Sequence, residues 1–367
     1  MSRPPGTTKR STSRGLSIDE RLLRGAARVV GSFPESMQRA LSGGRIERDG
    51  CELDAELALI LKLGGRGPSM TAPSLEQYRR EQQKGARIAG GPKLAVGAVR
   101  DLVVDGAEGD LRARFYSPER NHGHGSPAPL IVFFHGGGFV FGDVDTHDAP
   151  CRYLCRHAGA HVLSVEYRLA PEYAFPAAAL DARAALKWAF AHAVELGADP
   201  ARVAVAGDSA GGNLAAVASW MSSRDGGPAP IGQVLVYPAI DRHQPWPSLE
   251  KFAEGFFLTR ESILWFHEKY TGSHDAGPLD PRLNPLAASD LEGLPPTLLV
   301  TAGFDPLRDE GEGYAAALSK AGNAVTLRRF GHLVHGFFNM VGVSKASKAA
   351  VIEIAGAARV LLSARPS

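Results

Sequence analysis

Two short segments of the chain are suited to nucleophilic chemistry at a carbonyl carbon: His135-Gly136-Gly137-Gly138 and Gly207-Asp208-Ser209-Ala210-Gly211. In the second, small residues frame a serine as a sharp strand-to-helix turn requires, lifting its hydroxyl clear of a sheet. In the first, consecutive glycines offer bare backbone N–H groups to a carbonyl oxygen that turns negative during acyl transfer. A serine hydroxyl is a weak nucleophile until a base takes its proton. Asp305 and then His335 follow Ser209 along the chain, the acid before the base.

Each of these residues has a plainer reading. A serine in a Gly/Ala turn also serves as a helix cap. Asp305 before Pro306 reads as a helix N-cap with proline at the first helical position, a role compatible with orienting a base. Asp309 is the competing acid, but it lies a turn into the following helix. His332 competes with His335, whose following glycine leaves the imidazole room to reach a neighbouring loop. Asp208 adjoins the serine, yet an elbow points adjacent side chains apart. Chance alone yields about 0.3 G-x-S-x-G and about 0.02 H-G-G-G matches in a chain of this glycine content, so context must decide.

The context is a strand leading into each motif. Leu130 to Phe134 and Val203 to Ala206 are short apolar runs of the kind that form buried parallel strands, and Gly211 to Ser222 is Ala-rich and free of proline, as the helix behind an elbow should be. Amphipathic helical patterns cover Ile18–Val30, Leu53–Leu63 and Ser74–Ile88, with breaks such as Gly64-Gly65-Arg66-Gly67-Pro68 between them. Near residue 96 the period changes: Ala98–Asp105 and Leu111–Ser117 alternate as strands around a Gly106–Asp110 turn. A loop is expected over Asn121–Pro129, with His122 and His124 solvated.

Beyond it strands and helices alternate: strands at His161–Glu166, Gly232–Tyr237, Thr297–Ala302 and Ala324–Arg329, helices near Ala149–Ala158, Ala177–Leu196, Pro306–Ala321 and Lys345–Leu362. That rhythm predicts an α/β fold with a mostly parallel sheet of about eight strands flanked by helices. An interruption at about 241–294 carries Trp246, Phe252, Phe256, Phe257, Trp265, Phe266 and Tyr270. It reads as a partly helical insertion covering the site. Phe139, Phe256, Phe257 and Trp265 are the residues expected to wall an apolar acyl or alcohol pocket.

Composition bounds the rest. At 367 residues, 44% hydrophobic and 22% charged, the chain resembles an ordinary globular protein. A net charge of +2 gives no case for nucleic acid. Cys51, Cys151 and Cys155 do not form a disulfide framework and fit a reducing, cytoplasmic setting. No metal is expected from the Cys151/Cys155 spacing, which lacks a second ligand pair, and buried packing thiols are the better reading. No cofactor is expected either, since the glycine loop lacks the Lys-Ser/Thr of a phosphate-binding loop. No apolar run approaches the roughly 18 residues of a membrane span. Residues 1–15, basic and rich in Ser and Thr, read as a disordered tail.

Taken together, several motifs resemble the hormone-sensitive-lipase-like family of α/β-hydrolase esterases and lipases. They are His135-Gly136-Gly137-Gly138-Phe139, Glu166-Tyr167-Arg168-Leu169-Ala170-Pro171-Glu172, Gly207 to Gly212, Leu294-Pro295-Pro296, Asp305-Pro306-Leu307 and His335-Gly336-Phe337, in consistent order over about 95–340. The resemblance implies a triad of Ser209, Asp305 and His335 and an oxyanion hole formed by the N–H groups of Gly137, Gly138 and Ala210, with His135 structural. It implies a helical cap from residues 16–95 and the 241–294 insertion, over a catalytic domain of residues 96–367. The expected substrate is a small-molecule ester. An amidase or deacetylase on the same scaffold, or a non-catalytic receptor for a small hydrophobic ligand, are the alternatives. Glu166 stands where members often have Asp, and no family pattern covers residues 1–90. The oligomeric state is left open.

Overall fold

A computed structural model describes residues 17–64, 74–119, 127–272 and 280–363. The basic tail, most of the Gly64–Pro68 break, and His122 and His124 lie outside the described residues.

The N-terminal region comprises α1 (Ile18–Ser32), α2 (Glu35–Ser42), a two-stranded ribbon of β1 (Glu47–Arg48) and β2 (Cys51–Glu52), α3 (Ala55–Gly64) and α4 (Leu75–Ala89). Ser17 and Glu20 cap α1 reciprocally, each side chain accepting from the other's backbone N–H. Ser74 caps α4 by accepting from the Gln77 N–H at 3.2 Å. Helix α2 and the ribbon escaped the sequence reading. The helix is only eight residues long, starts directly after Pro34 and buries Gln38 alone, so its apolar stripe is too short to register.

The remaining strands form one sheet: β3 (Ala98–Gly106), β4 (Gly109–Ser117), β5 (Ala128–Phe134), β6 (His161–Val165), β7 (Ala198–Asp208), β8 (Gln233–Val236), β9 (Thr297–Phe304) and β10 (Val325–Val334). Their spatial order is β10-β9-β8-β7-β5-β6-β4-β3. The β3–β4 hairpin and the β4–β6 pairing are antiparallel, and every other neighbour is parallel. The eight-stranded, mostly parallel sheet expected from the alternating rhythm is therefore present. Strand β7 begins five residues before the apolar run that announced it: Ala198 pairs with Ala128 ahead of a register irregularity, through the polar stretch Asp199–Arg202.

Helices cover both faces: α5 (Asp148–Ala158), α6 (Ala177–His192), α7 (Ala210–Arg224), α8 (Pro247–Lys251), α9 (Arg260–Thr271), α10 (Arg308–Lys320) and α11 (Lys345–Ser363). The strict alternation of side chains along a strand assigns each residue to a layer. Leu130, Val132 and Phe134 of β5 pack with α6, α7 and α10, whereas Ile131 and Phe133 pack with α5 and α11. Each such side chain, fully buried, contributes about 1.5–3 kcal/mol of transfer free energy. Cys151 and Cys155 belong to the second layer, where burial pushes the Cys155 thiol up to about 12. With both faces covered, the strand ends become the places where polar residues emerge.

Candidate active site

Four strands of the parallel part of the sheet, two on either side of β8, deliver the residues singled out by chemistry. The glycine loop leaves β5, Ser209 leaves β7, Asp305 leaves β9 and His335 leaves β10, all at carboxyl ends. In an open parallel sheet this edge is where ligands bind.

The turn at Ser209 is strained. Its φ and ψ are 55° and −119°, a backbone conformation rarely adopted by a residue with a Cβ. The chain reverses so tightly that a methyl on Gly207 or Gly211 would collide with the backbone of Gly211 or of Phe134. Helix α7 starts at the next residue, directing its N-terminal dipole toward the hydroxyl.

His335 bridges the other two. Its Nε2 lies 3.0 Å from Ser209 Oγ and its Nδ1 lies 2.8 Å from Asp305 Oδ2. Asp305 is fully buried, and its other oxygen accepts the Leu307 N–H at 2.8 Å, which fixes the carboxylate's orientation. Gly336, with φ of 81°, makes the turn that carries the imidazole inward. The rivals are occupied elsewhere. Asp309 accepts the Ser248 N–H at 2.8 Å and pairs with Arg308, and the His332 side chain is exposed.

Asp208 points away from the nucleophile, as an elbow demands. It accepts the Gly136 N–H at 2.9 Å and lies 3.2 Å from His147 Nε2, tying the glycine loop to the elbow. Burial raises its pKa, but His147 and the Gly136 N–H outweigh that and hold it below the usual carboxylate range. His135 is fully buried, stacked on Tyr167 at 4.3 Å, and accepts the Tyr167 hydroxyl on its main-chain carbonyl at 2.7 Å. Burial, followed by neighbouring His147, depresses its pKa to about 4. The imidazole thus sits buried and stacked at the start of the glycine loop.

Ser209 and His335 open onto a cavity of about 250 Å³, whose walls include Gly137, Gly138 and Ala210. Tyr78 and Gln82 of α4, Leu258, and Ser262, Ile263 and Phe266 of α9 line it from above, with Phe141, Arg242, Leu307 and Met340 completing the enclosure. Of the four aromatic residues expected to wall a pocket, Phe257 does so. The other three do not. Phe139, at φ of 66°, turns into the core and stacks on Tyr270 at 3.8 Å. Phe256 packs on Phe252 and Phe304, and Trp265 packs against Tyr78 from behind. An aromatic residue in an insertion is more often packing than pocket, and strand-end and helical direction decide which. Phe266, adjacent to Trp265, faces the cavity instead, with its ring against Gly138.

Comparison with known proteins shows the family of this fold. A family model described as alpha/beta hydrolase fold matches residues 131–339. The carboxylic ester hydrolase LipN of Mycobacterium tuberculosis is 45% identical over 345 residues, covering 92% of this chain and 90% of LipN. The ethyl acetate hydrolase of Pseudomonas putida is 35% identical over 78% of this chain and 92% of its own. Among solved structures, the ester hydrolase EH1AB1 from the Lake Arreo metagenome, complexed with a bipyridine phosphonate derivative, superposes with a TM-score of 0.77 at 37% identity, over 82% of this chain and 96% of that one.

Proposed function

The chain belongs to the α/β hydrolase fold family and hydrolyses carboxylic esters, and from that premise we propose that it works through an acyl-enzyme on Ser209. His335 takes the hydroxyl proton at Nε2 as Ser209 Oγ attacks the ester carbonyl. Asp305 keeps the Nδ1–H directed away from the serine and stabilises the imidazolium that forms. The carbonyl oxygen becomes negative beside the N–H groups of Gly137, Gly138 and Ala210. Because that charge exists only past the ground state, these donors lower the barrier and not merely KM. His335 then protonates the departing alcohol, and water activated by the same nitrogen releases the acid.

The observation that carries this reading is the continuous contact Ser209–His335–Asp305, at 3.0 and 2.8 Å, from residues 126 and 30 positions apart. The same contact disfavours a binding-only receptor, which has no use for an imidazole poised on a serine. Residues 16–95 and about 241–294 are proposed to act as a cap, supported by Tyr78 and Gln82 from the first segment and Leu258 to Phe266 from the second in the cavity wall. Among the described residues no helix is long and apolar enough to cross a membrane. A cytoplasmic setting is part of the proposal and is compatible with three free cysteines.

The test is labelling by a serine-reactive alkyl phosphonate combined with hydrolysis of p-nitrophenyl butyrate. Stoichiometric label on Ser209, and loss of both label and turnover in Ser209→Ala, are expected. Turnover by Ser209→Ala at the wild-type rate would overturn the assignment.

A further inference from the structure

One lining residue has no part in the mechanism above. Arg242, just beyond the carboxyl end of β8, contributes to the wall of the cavity that holds Ser209, and among the described lining residues it is the sole arginine or lysine. Its Nη1 donates to the Ile263 carbonyl at 3.2 Å, and its guanidinium carbon lies 6.0 Å from the Phe139 ring. No other hydrogen bond, and no carboxylate oxygen within 4.0 Å, is present for it among the described residues.

Among the described residues no carboxylate pairs directly with this charge. Glu310 is the acid that most opposes the effect of burial on Arg242, but its carboxyl accepts the Ile240 N–H at 2.7 Å and makes no ion pair with the guanidinium, and burial raises its pKa. Asp241 is committed to the His243 N–H and the Asn284 amide at 3.0 and 2.9 Å. His267, on the neighbouring helix, is held neutral, its pKa depressed to about 4 by burial and then by Arg242. Ile263, Leu258, Phe257 and Phe266, with Ser262, also line the cavity. A cation placed in an apolar wall without a counter-ion is costly unless a ligand supplies one, and a guanidinium fits a carboxylate with two parallel hydrogen bonds.

We propose that Arg242 is a specificity-determining residue that selects esters bearing a second, free carboxylate away from the scissile bond. The inference rests on the hydrolase reading of Ser209 and names the substrate class of that same site. Arg242 takes no part in bond making. It binds the remote anion, and the same attraction operates whether the carboxylate belongs to the acyl or the alcohol portion.

The experiment measures kcat/KM for monoethyl esters of C4 to C8 dicarboxylic acids against the ethyl esters of the matching fatty acids. A second series, butyrate esters of ω-hydroxy acids against butyrates of simple alcohols, places the carboxylate on the alcohol side. In at least one chain length the acidic ester should win by about tenfold, and Arg242→Met should lower that acidic-to-neutral ratio by about tenfold, with Arg242→Lys intermediate. The series in which the preference appears identifies the side. Should the methionine variant fail to fold, inhibition of wild-type neutral-ester turnover by adipate, compared with adipamide, gives the same answer. Neutral esters turned over with an acidic-to-neutral ratio indifferent to Arg242, or equal inhibition by adipate and adipamide, would overturn the proposal alone. Absence of both phosphonate labelling and turnover of every ester would instead sink the hydrolase reading.

Discussion

Gly138 tests whether the glycine loop acts through its backbone, because the structure shows what a single methyl would meet there. Gly138 has φ of 60°, and a Cβ built on it would sit 2.7 Å from Cδ2 of Phe266 and nearer still to Cγ. Gly138→Ala therefore carries two separate costs. The left-handed backbone costs an alanine roughly 1–2 kcal/mol, whatever its surroundings. The collision can be relieved only by moving the Phe266 ring, which is packed between Phe141 and Tyr78, or by moving the loop.

Displacing an oxyanion donor of this kind removes about 2.7–4 kcal/mol of transition-state stabilisation, or 10²–10³ in kcat. The expected result is thus a kcat/KM for p-nitrophenyl butyrate about 10²–10³ below wild type, with kcat carrying most of the loss. Adding Phe266→Ala removes the obstacle and leaves only the backbone term, so the double variant should recover at least tenfold over Gly138→Ala. A double-mutant cycle isolates that coupling. The reasoning is refuted if Gly138→Ala stays within threefold of wild type, or if Phe266→Ala adds its own loss without any recovery.

Two further outcomes follow from individual contacts. Asp305→Asn keeps the shape of the side chain but lets the amide donate to Nδ1, so His335 would present a proton to Ser209 where it should accept one. A fall in kcat of about 10³–10⁴ with little change in thermal stability is expected, read by steady-state kinetics alongside thermal unfolding. A loss below tenfold would remove Asp305 from its role. Glu310 governs a pH effect: its folded pKa of about 8 lies above the 4.5 of a free glutamate, so the native state holds the extra proton between these values. The resulting stabilisation of the folded chain relative to a charged Glu310 is present below about pH 4.5 and is lost progressively up to about pH 8, at up to 1.4 kcal/mol per pH unit. Glu310→Gln should therefore gain on wild type in urea denaturation as pH rises from 5 to 9, and a pH-independent difference would refute the assignment.

What the sequence revealed, and what it hid, divides along a physical line. The elbow and the glycine loop were legible because they are backbone demands: Gly207, Gly211 and Gly138 stand where any Cβ collides with main chain or a packed ring, and such demands leave few residue choices. The sheet was legible because strands buried on both faces are continuous apolar runs. The start of β7 was not, since Asp199, Pro200 and Ala201 lie in the irregularity between the Ala198–Ala128 and Val203–Leu130 pairs and carry no hydrophobic signal. The pocket wall was least legible. Phe139 and Phe141 are two residues apart in one loop, yet the first turns into the core against Tyr270 and the second faces the cavity. That choice is made by a positive φ at Phe139, which residue type does not announce.

The same division explains how three buried carboxyls near one serine keep separate tasks. Asp208 is next to Ser209 in sequence, but the elbow turns it toward the Gly136 N–H and His147, where its carboxylate ties the glycine loop to the elbow. Glu310 is as deeply buried, and there burial outweighs the main-chain N–H groups of Ile240 and Asp241 and the Arg242 charge, so its pKa rises while its carboxyl clamps the root of the loop bearing Arg242. Of the three, Asp305 alone meets the imidazole that contacts Ser209, because β9 and β10 are adjacent and parallel and so bring their carboxyl ends side by side. Carboxylate chemistry at this site is thus allotted by strand order before any side chain is considered. Moving the acid one strand over would retain a buried carboxylate at a strand end, but it would change which histidine, if any, that carboxylate could orient.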